Sequence, residues 1–221
     1  MLRAVIVVDY QNIHLTGHNF FEHDGTPRHH SLVHPLYYAR QLLEARNLGQ
    51  RPGFAQAELL RVEVYRGLPS PAHEPNGYAR NLAQKERWES DPRVQVTLRP
   101  LKYRYLYGAD GRPIRDINGL KVRDESVPPQ EKGVDVLCAL ALVRASQEAG
   151  VDLVIMASHD SDLVPALDEA VRLRAAKVET TSWYDPVTHR SQQLRPSAGT
   201  LWNTRLGREQ FIAARDLTDY A

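Results

Sequence analysis

Asp9, Asp135, Asp160 and Asp162 are the side chains of this chain best suited to chemistry, because each stands where a strand or a helix start would present a carboxylate. Asp9 closes the run Ala4-Val-Ile-Val-Val-Asp9, and Asp160 and Asp162 follow Leu153-Val-Ile-Met-Ala-Ser158-His. A short β-branched run ending abruptly in acid is how a buried parallel strand reads as it emerges at its C-terminal edge. Asp135 lies between them, in Lys132-Gly-Val-Asp135, at the start of a long helical pattern. Carboxylates brought together repel one another, and such a group persists when it holds divalent cations. Mg²⁺ and Mn²⁺ take oxygen ligands and keep several waters, which suits a site that must also bind phosphate, and phosphodiester hydrolysis uses that arrangement directly. Each aspartate also has a plainer reading, Asp9 and Asp162 as helix caps and Asp135 as first-turn charge. Their coincidence favours one shared site.

Several neighbours suit supporting roles. The Asn12 amide can orient water or phosphate or cap a helix, Lys132 can contact phosphate, and His159 can move a proton or simply occupy a turn. Six of the nine histidines fall between His14 and His34, and His14 and His18 have the i, i+4 spacing that can hold a transition metal, without the rest of a tetrahedral set. Residues 99 to 123 carry Arg99, Lys102, Arg104, Arg112, Arg115, Lys121 and Arg123 against Asp110 and Asp116, a local excess of +5. With Tyr103, Tyr105 and Tyr107 alternating on one face, this ribbon is a candidate platform for single-stranded RNA, basic groups holding phosphates and tyrosines stacking bases. A solvated strand whose tyrosines pack on the core is the alternative. Arg66, Arg80 and Arg87 would extend the basic surface.

The elements that must position these groups alternate along the chain. Strands are expected at 2–9, 59–65, 94–98, 151–157 and 177–183, and helices at 35–48, 77–89, 132–149 and 163–174. A helical turn is expected from Asn12 to about Gly17, followed by a polar histidine-rich segment, and the tail from Leu201 suggests a short strand and a closing helix. This order argues for an α/β fold with a doubly wound, mainly parallel sheet, whose ligands bind at the carboxyl ends of the strands. No internal repeat is evident.

At 221 residues with a formal charge of +1, the chain fits a single domain over 1–221, with the ribbon at 99–123 and a C-terminal extension from about 184. No global charge demands nucleic acid. The single Cys138 excludes an intrachain disulfide and a multi-cysteine zinc site, and suits a buried helix position. No stretch approaches the length of a membrane span, so a cytoplasmic protein without a membrane partner is expected, with self-association left open.

Asp9-Tyr-Gln-Asn12-Ile, Lys132-Gly-Val-Asp135-Val and Ser158-His-Asp160-Ser-Asp162-Leu-Val-Pro165 resemble the three signature segments of NYN-domain proteins, a branch of the PIN-like nucleases. The resemblance runs from residue 4 to about residue 183. It implies a Rossmann-like, PIN-type three-layer sandwich and a Mg²⁺- or Mn²⁺-dependent ribonuclease. It carries over Asp9, Asn12, Asp135, Asp160 and Asp162 as site residues, the four aspartates as metal ligands, with Ser158 in support. Two positions depart from the pattern: His159 stands where many relatives have glycine, and Ala141 where many have an acid. Those departures favour the alternative, a catalytically weak or inactive RNA-binding or scaffolding module. A phosphohydrolase with Asp9 as nucleophile is weakened by Gln11, which stands where that chemistry wants a second acid.

Overall fold

A computed structural model describes residues 1–188 and 190–220. Strand β1 (Leu2–Asp9) sends Ala4, Ile6 and Val8 into one core and Val5 and Val7 into another, as the two-residue strand period requires. Both faces are covered, which is why the strand reads as an unbroken apolar run. β1 is central. It pairs in parallel with β2 (Ala57–Leu68) on one side and β4 (Leu153–Ala157) on the other. Beyond β2 lies β3 (Val94–Pro100), and beyond β4 lies β5 (Lys177–Asp185), which also pairs in parallel with β7 (Asn203–Leu206). The short β6 (Arg190–Ser191) pairs antiparallel with the end of β5.

The result is a seven-stranded, mostly parallel sheet with helices on both faces. Helices α1 (Tyr10–Phe21), α2 (Pro35–Leu48), α3 (Pro75–Trp88) and α6 (Arg208–Ala213) contribute Ile13, Phe21, Leu42, Trp88 and Phe211 to one core. Helices α4 (Val134–Gln147) and α5 (Val164–Leu173) contribute Cys138, Leu142 and Leu167 to the other. The order β3-β2-β1-β4-β5 reverses between β1 and β4. Two crossovers leave that point in opposite directions and open a crevice outside the strand ends, where Asp9 and Asp160 emerge. No described helix is long and apolar enough to cross a membrane.

Two local expectations are corrected. The first helix runs twelve residues, to Phe21, rather than ending near Gly17. Tyr10, Ile13, His14, Gly17, His18 and Phe21 form its buried face, a helical period once the histidines are counted as apolar. His14 Nε2 lies 3.0 Å from Arg28 O and His18 Nδ1 2.8 Å from Ser31 Oγ, so the pair pins the turn at 28–31 instead of forming a metal site.

The segment between β3 and α4 is the second correction, because it contains an eight-residue repeat. Ile114 N donates to Leu106 O at 2.9 Å, Val122 N to Ile114 O at 2.9 Å, and Leu106 N to Val122 O at 3.0 Å, closing a ring of three backbone hydrogen bonds. The next positions repeat the pattern, Gly108 N to Arg112 O, Asp116 N to Leu120 O and Asp124 N to Arg104 O, each at 2.9 Å. The ribbon is therefore a three-leaved rosette. Two leaves turn through Gly111 and Gly119 at φ of 72° and 78°, which glycine adopts freely. Leu106, Ile114 and Val122 recur as apolar positions and Arg115-Asp116 as Arg123-Asp124, but Tyr107-Gly108 breaks the pattern in the first leaf, so the repeat shows only in part in side-chain identity.

Candidate active site

Asp9 ends β1 and caps α1 at once: its Oδ1 accepts Asn12 N–H at 3.3 Å and its Oδ2 accepts the Ser158 hydroxyl at 3.0 Å. Capping and site roles are thus compatible in one carboxylate. Ser158 Oγ in turn accepts Asp160 N–H at 3.1 Å, and Asp160 Oδ1 accepts Asp162 N–H at 3.0 Å, shaping the turn after β4. Asp9 and Asp160 line one open cleft of about 420 Å³ with Glu131, Lys132 and Asp135, the last in the first turn of α4. The backbone enters α4 through Gly133 at φ 79°, where a Cβ would meet the Arg99 guanidinium at 2.9 Å.

Burial, with the fields of Glu131 and Asp160 added, pushes Asp9 from 3.8 up to about 6, against the two hydrogen bonds that favour its ionised form. Glu131 is also raised, by burial first. Its Oε1 accepts Gly67 N–H at 2.5 Å, and a Cβ at Gly67 would stand 2.6 Å from that oxygen, so glycine lets the carboxylate reach the backbone. With its amide turned to suit its neighbours, Gln11 donates to Glu131 Oε2 at 3.0 Å. Sequence reasoning missed Glu131, whose signal was its place directly before the Lys132 motif.

The supporting residues are distributed differently from the expectation. The Asn12 carboxamide oxygen is taken by His159, accepting its backbone N–H at 2.9 Å and facing Nδ1 at 2.8 Å. Trp183 N–H points to His159 Nε2 at 3.4 Å, which selects the neutral Nδ1–H tautomer. Burial holds His159 near 4, well below its ordinary 6.5. His159 therefore braces the turn between α1 and β5 rather than standing ready to relay protons. Asp162 is exposed in the 3₁₀ turn 161–163 and does not line the cleft. Ala141 is fully buried in the core beneath α4.

The rosette does not present its tyrosines on one exposed face. Tyr103 is buried, its hydroxyl accepting Ser70 N–H at 2.9 Å and donating to Glu74 at 3.1 Å, while Arg123 pairs with Glu74 at 2.9 Å and covers the Tyr103 ring. These two residues dock the rosette onto the loop before α3. Tyr105 is half-buried under Lys121, whose Nζ lies 5.3 Å from the ring, and Tyr107 is exposed. Lys102, Arg104, Arg112, Arg115 and Lys121 are exposed, as is Arg99, which donates to Lys132 O at 2.5 Å and so ties β3 to the mouth of the cleft.

Apart from the Lys132 ammonium, the polar side chains lining the cleft are carboxylates, the class that hard divalent ions take. Among the described residues no three His, Cys, Asp or Glu side chains already stand in an ion-holding group. No family model matches the chain, and no curated protein matches it. Among solved structures it is similar to a protein of unknown function from Vibrio parahaemolyticus RIMD 2210633, at 17% identity over 81% of this chain and 80% of that one, with a TM-score of 0.41.

Proposed function

We propose that this chain is a metal-dependent ribonuclease of the PIN-like type that hydrolyses phosphodiester bonds of single-stranded RNA. The observation that carries the reading is the convergence of Asp9, Glu131, Asp135 and Asp160 on one cleft, at the point where the strand order reverses. Asp9, Asp135 and Asp160 would hold Mg²⁺ or Mn²⁺, with Glu131 in reserve, and side-chain rotation would close the group around the ion. A bound ion would supply Lewis acidity toward water and phosphate. Ser158 favours the ionised form of Asp9, against burial, and fixes the Asp160 turn through the same hydroxyl. Lys132, exposed at the cleft, would meet the phosphate. Asn12 and His159 keep the wall rigid through their mutual hydrogen bonds. The exposed basic residues of the rosette would hold the strand by its backbone.

A non-cleaving RNA-binding module of the same fold is the second reading, favoured by Ala141, whose burial leaves that helix position without an acid for the cleft. Incubation of the purified protein with labelled single-stranded RNA and Mn²⁺, beside an Asp160→Asn variant, separates the two. Cleavage by the parent and loss in the variant is the ribonuclease result. Equal degradation by both, or none by either, contradicts it.

A further inference from the structure

A second cavity, of about 670 Å³, opens beside the acidic cleft, walled by α1, α3, the turn at 28–31 and the C-terminal tail. Its volume falls in the range of small-ligand sites. Arg66, the residue after the β2 position paired with Asp9, forms part of its wall. The guanidinium lies over the Tyr10 ring at 4.5 Å and the Trp88 ring at 5.5 Å, and Nη1 donates to the neutral Gln84 amide at 2.6 Å. Among the described residues it pairs with no carboxylate, although the field of Glu131 reaches it. The half-buried guanidinium thus rests on two aromatic faces and a neutral amide, with a charge left over for an anion.

Arg28 and Arg80 line the same cavity from opposite walls, and both are exposed. The lining acids are Glu74, Asp216 and Asp219. Glu74 is held by Arg123, and Asp216 accepts Trp88 Nε1–H and the Tyr220 hydroxyl at 2.6 and 2.7 Å. Asn81, in the same wall, is a structural residue of α3. It is nine-tenths buried, and its Nδ2 is engaged by Gly77 O. An anionic group in the cavity would meet Arg66, Arg28 and Arg80.

We propose that this cavity binds the phosphate monoester of a ribonucleotide, with Arg66, Arg28 and Arg80 on the phosphate and the remaining volume taking the nucleoside. The monoester comes either from a free mononucleotide or from the end of an RNA strand; the second source rests on the ribonuclease reading, and would anchor a strand end directly beside the acidic cleft.

The test measures binding in EDTA, where a metal-dependent site does not cleave. Probes are a fluorescent octaribonucleotide with a 5′-phosphate, a 3′-phosphate or hydroxyl ends, competed by AMP or by adenosine. A charged hydrogen-bond set makes the monoester tighten binding about tenfold over its hydroxyl counterpart. A larger gain for the phosphorylated strand than for AMP identifies the strand end as the source, and the reverse identifies the free nucleotide. Arg66→Gln abolishes the gain, as does the surface double variant Arg28→Ala/Arg80→Ala, which remains usable if Arg66→Gln does not fold. Equal affinity for phosphorylated and hydroxyl probes, or a gain that survives both variants, overturns the proposal. Asp160→Asn, built to stop cleavage, retains the gain, so failure of the nuclease and failure of this pocket read out separately.

Discussion

Ser158 Oγ donates its hydrogen to Asp9 Oδ2 at 3.0 Å, joining the end of β4 to the end of β1 across the crevice. The bond favours the ionised carboxylate, against the burial that raises it. Ser158→Ala removes it, so Asp9 takes up a proton at higher pH and the acidic limb of the cleavage profile moves upward. A stability loss on the order of 1–2 kcal/mol in urea unfolding accompanies it, because the bond is to a charged group. An unmoved acidic limb would separate Ser158 from the chemistry.

Asp9 raised from 3.8 to about 6 means that its ionised form is disfavoured by folding. The sign follows: the cost is absent below about pH 4, grows between 4 and 6, and is fully present above 6. Asp9→Asn in EDTA at pH 7.5 should therefore stabilise the protein by about 2 kcal/mol, roughly 4–8 °C in Tm for a chain of this size. Added Mn²⁺ should raise the Tm of the parent and leave the variant unchanged. A variant less stable than the parent in EDTA would mean that Asp9 serves chiefly as a cap.

His159 and His14 are both held near 4 by burial, so folding favours their neutral forms. Their contribution is intact above about pH 6.5 and is lost as the pH falls toward 4, where the unfolded chain has taken up protons that the fold refuses. Asp9 acts in the opposite sense over part of this window, and the two histidines outweigh it. His159→Gln should reduce the acid-induced loss between pH 7 and pH 5 by about 1–2 kcal/mol. Denaturant titrations at the two pH values check this; an equal loss in both proteins would place the acid sensitivity elsewhere.

The exposed charges of the rosette should hold phosphates without reading bases. Replacing Arg104 and Lys121 with alanine lowers RNA affinity and reduces the salt slope by about 0.7 for each contact removed. Tyr103 and Arg123 serve as the docking residues, so Tyr103→Phe should cost about 1 kcal/mol of stability through its lost hydrogen bonds and leave the salt slope in place. An unchanged slope in the Arg104 and Lys121 variant would remove the rosette from the RNA path.

Features with a local physical signature were legible in the sequence. The bounds of α2 were readable because Pro35 marks its first turn and Asn47-Leu48-Gly49 its end. Both central strands were readable because burial on two faces leaves unbroken β-branched runs ending at Asp9 and before Asp160. The length of α1 was hidden by His14 and His18, whose rings are buried although the residue type reads as polar. The rosette was hidden because its repeat is written mainly in backbone hydrogen bonds, its side-chain trace being a spaced one, Leu106, Ile114 and Val122 with Arg115-Asp116 repeated as Arg123-Asp124. Glu131 was hidden because it reaches the cleft by way of Gly67, sixty-four positions earlier. Asp162 shared the strand-end context of Asp160, but the 3₁₀ turn carries its side chain out to solvent.

The acidic cleft as a cation site is tested most directly by anomalous scattering from crystals soaked in Mn²⁺. Expected is at least one ion in the cleft, about 2.1 Å from carboxylate oxygens of Asp9 and Asp160, and absent from crystals of Asp9→Asn. A cleft free of manganese at a soak concentration that labels other carboxylates, or an ion that persists unchanged in Asp9→Asn, would contradict it.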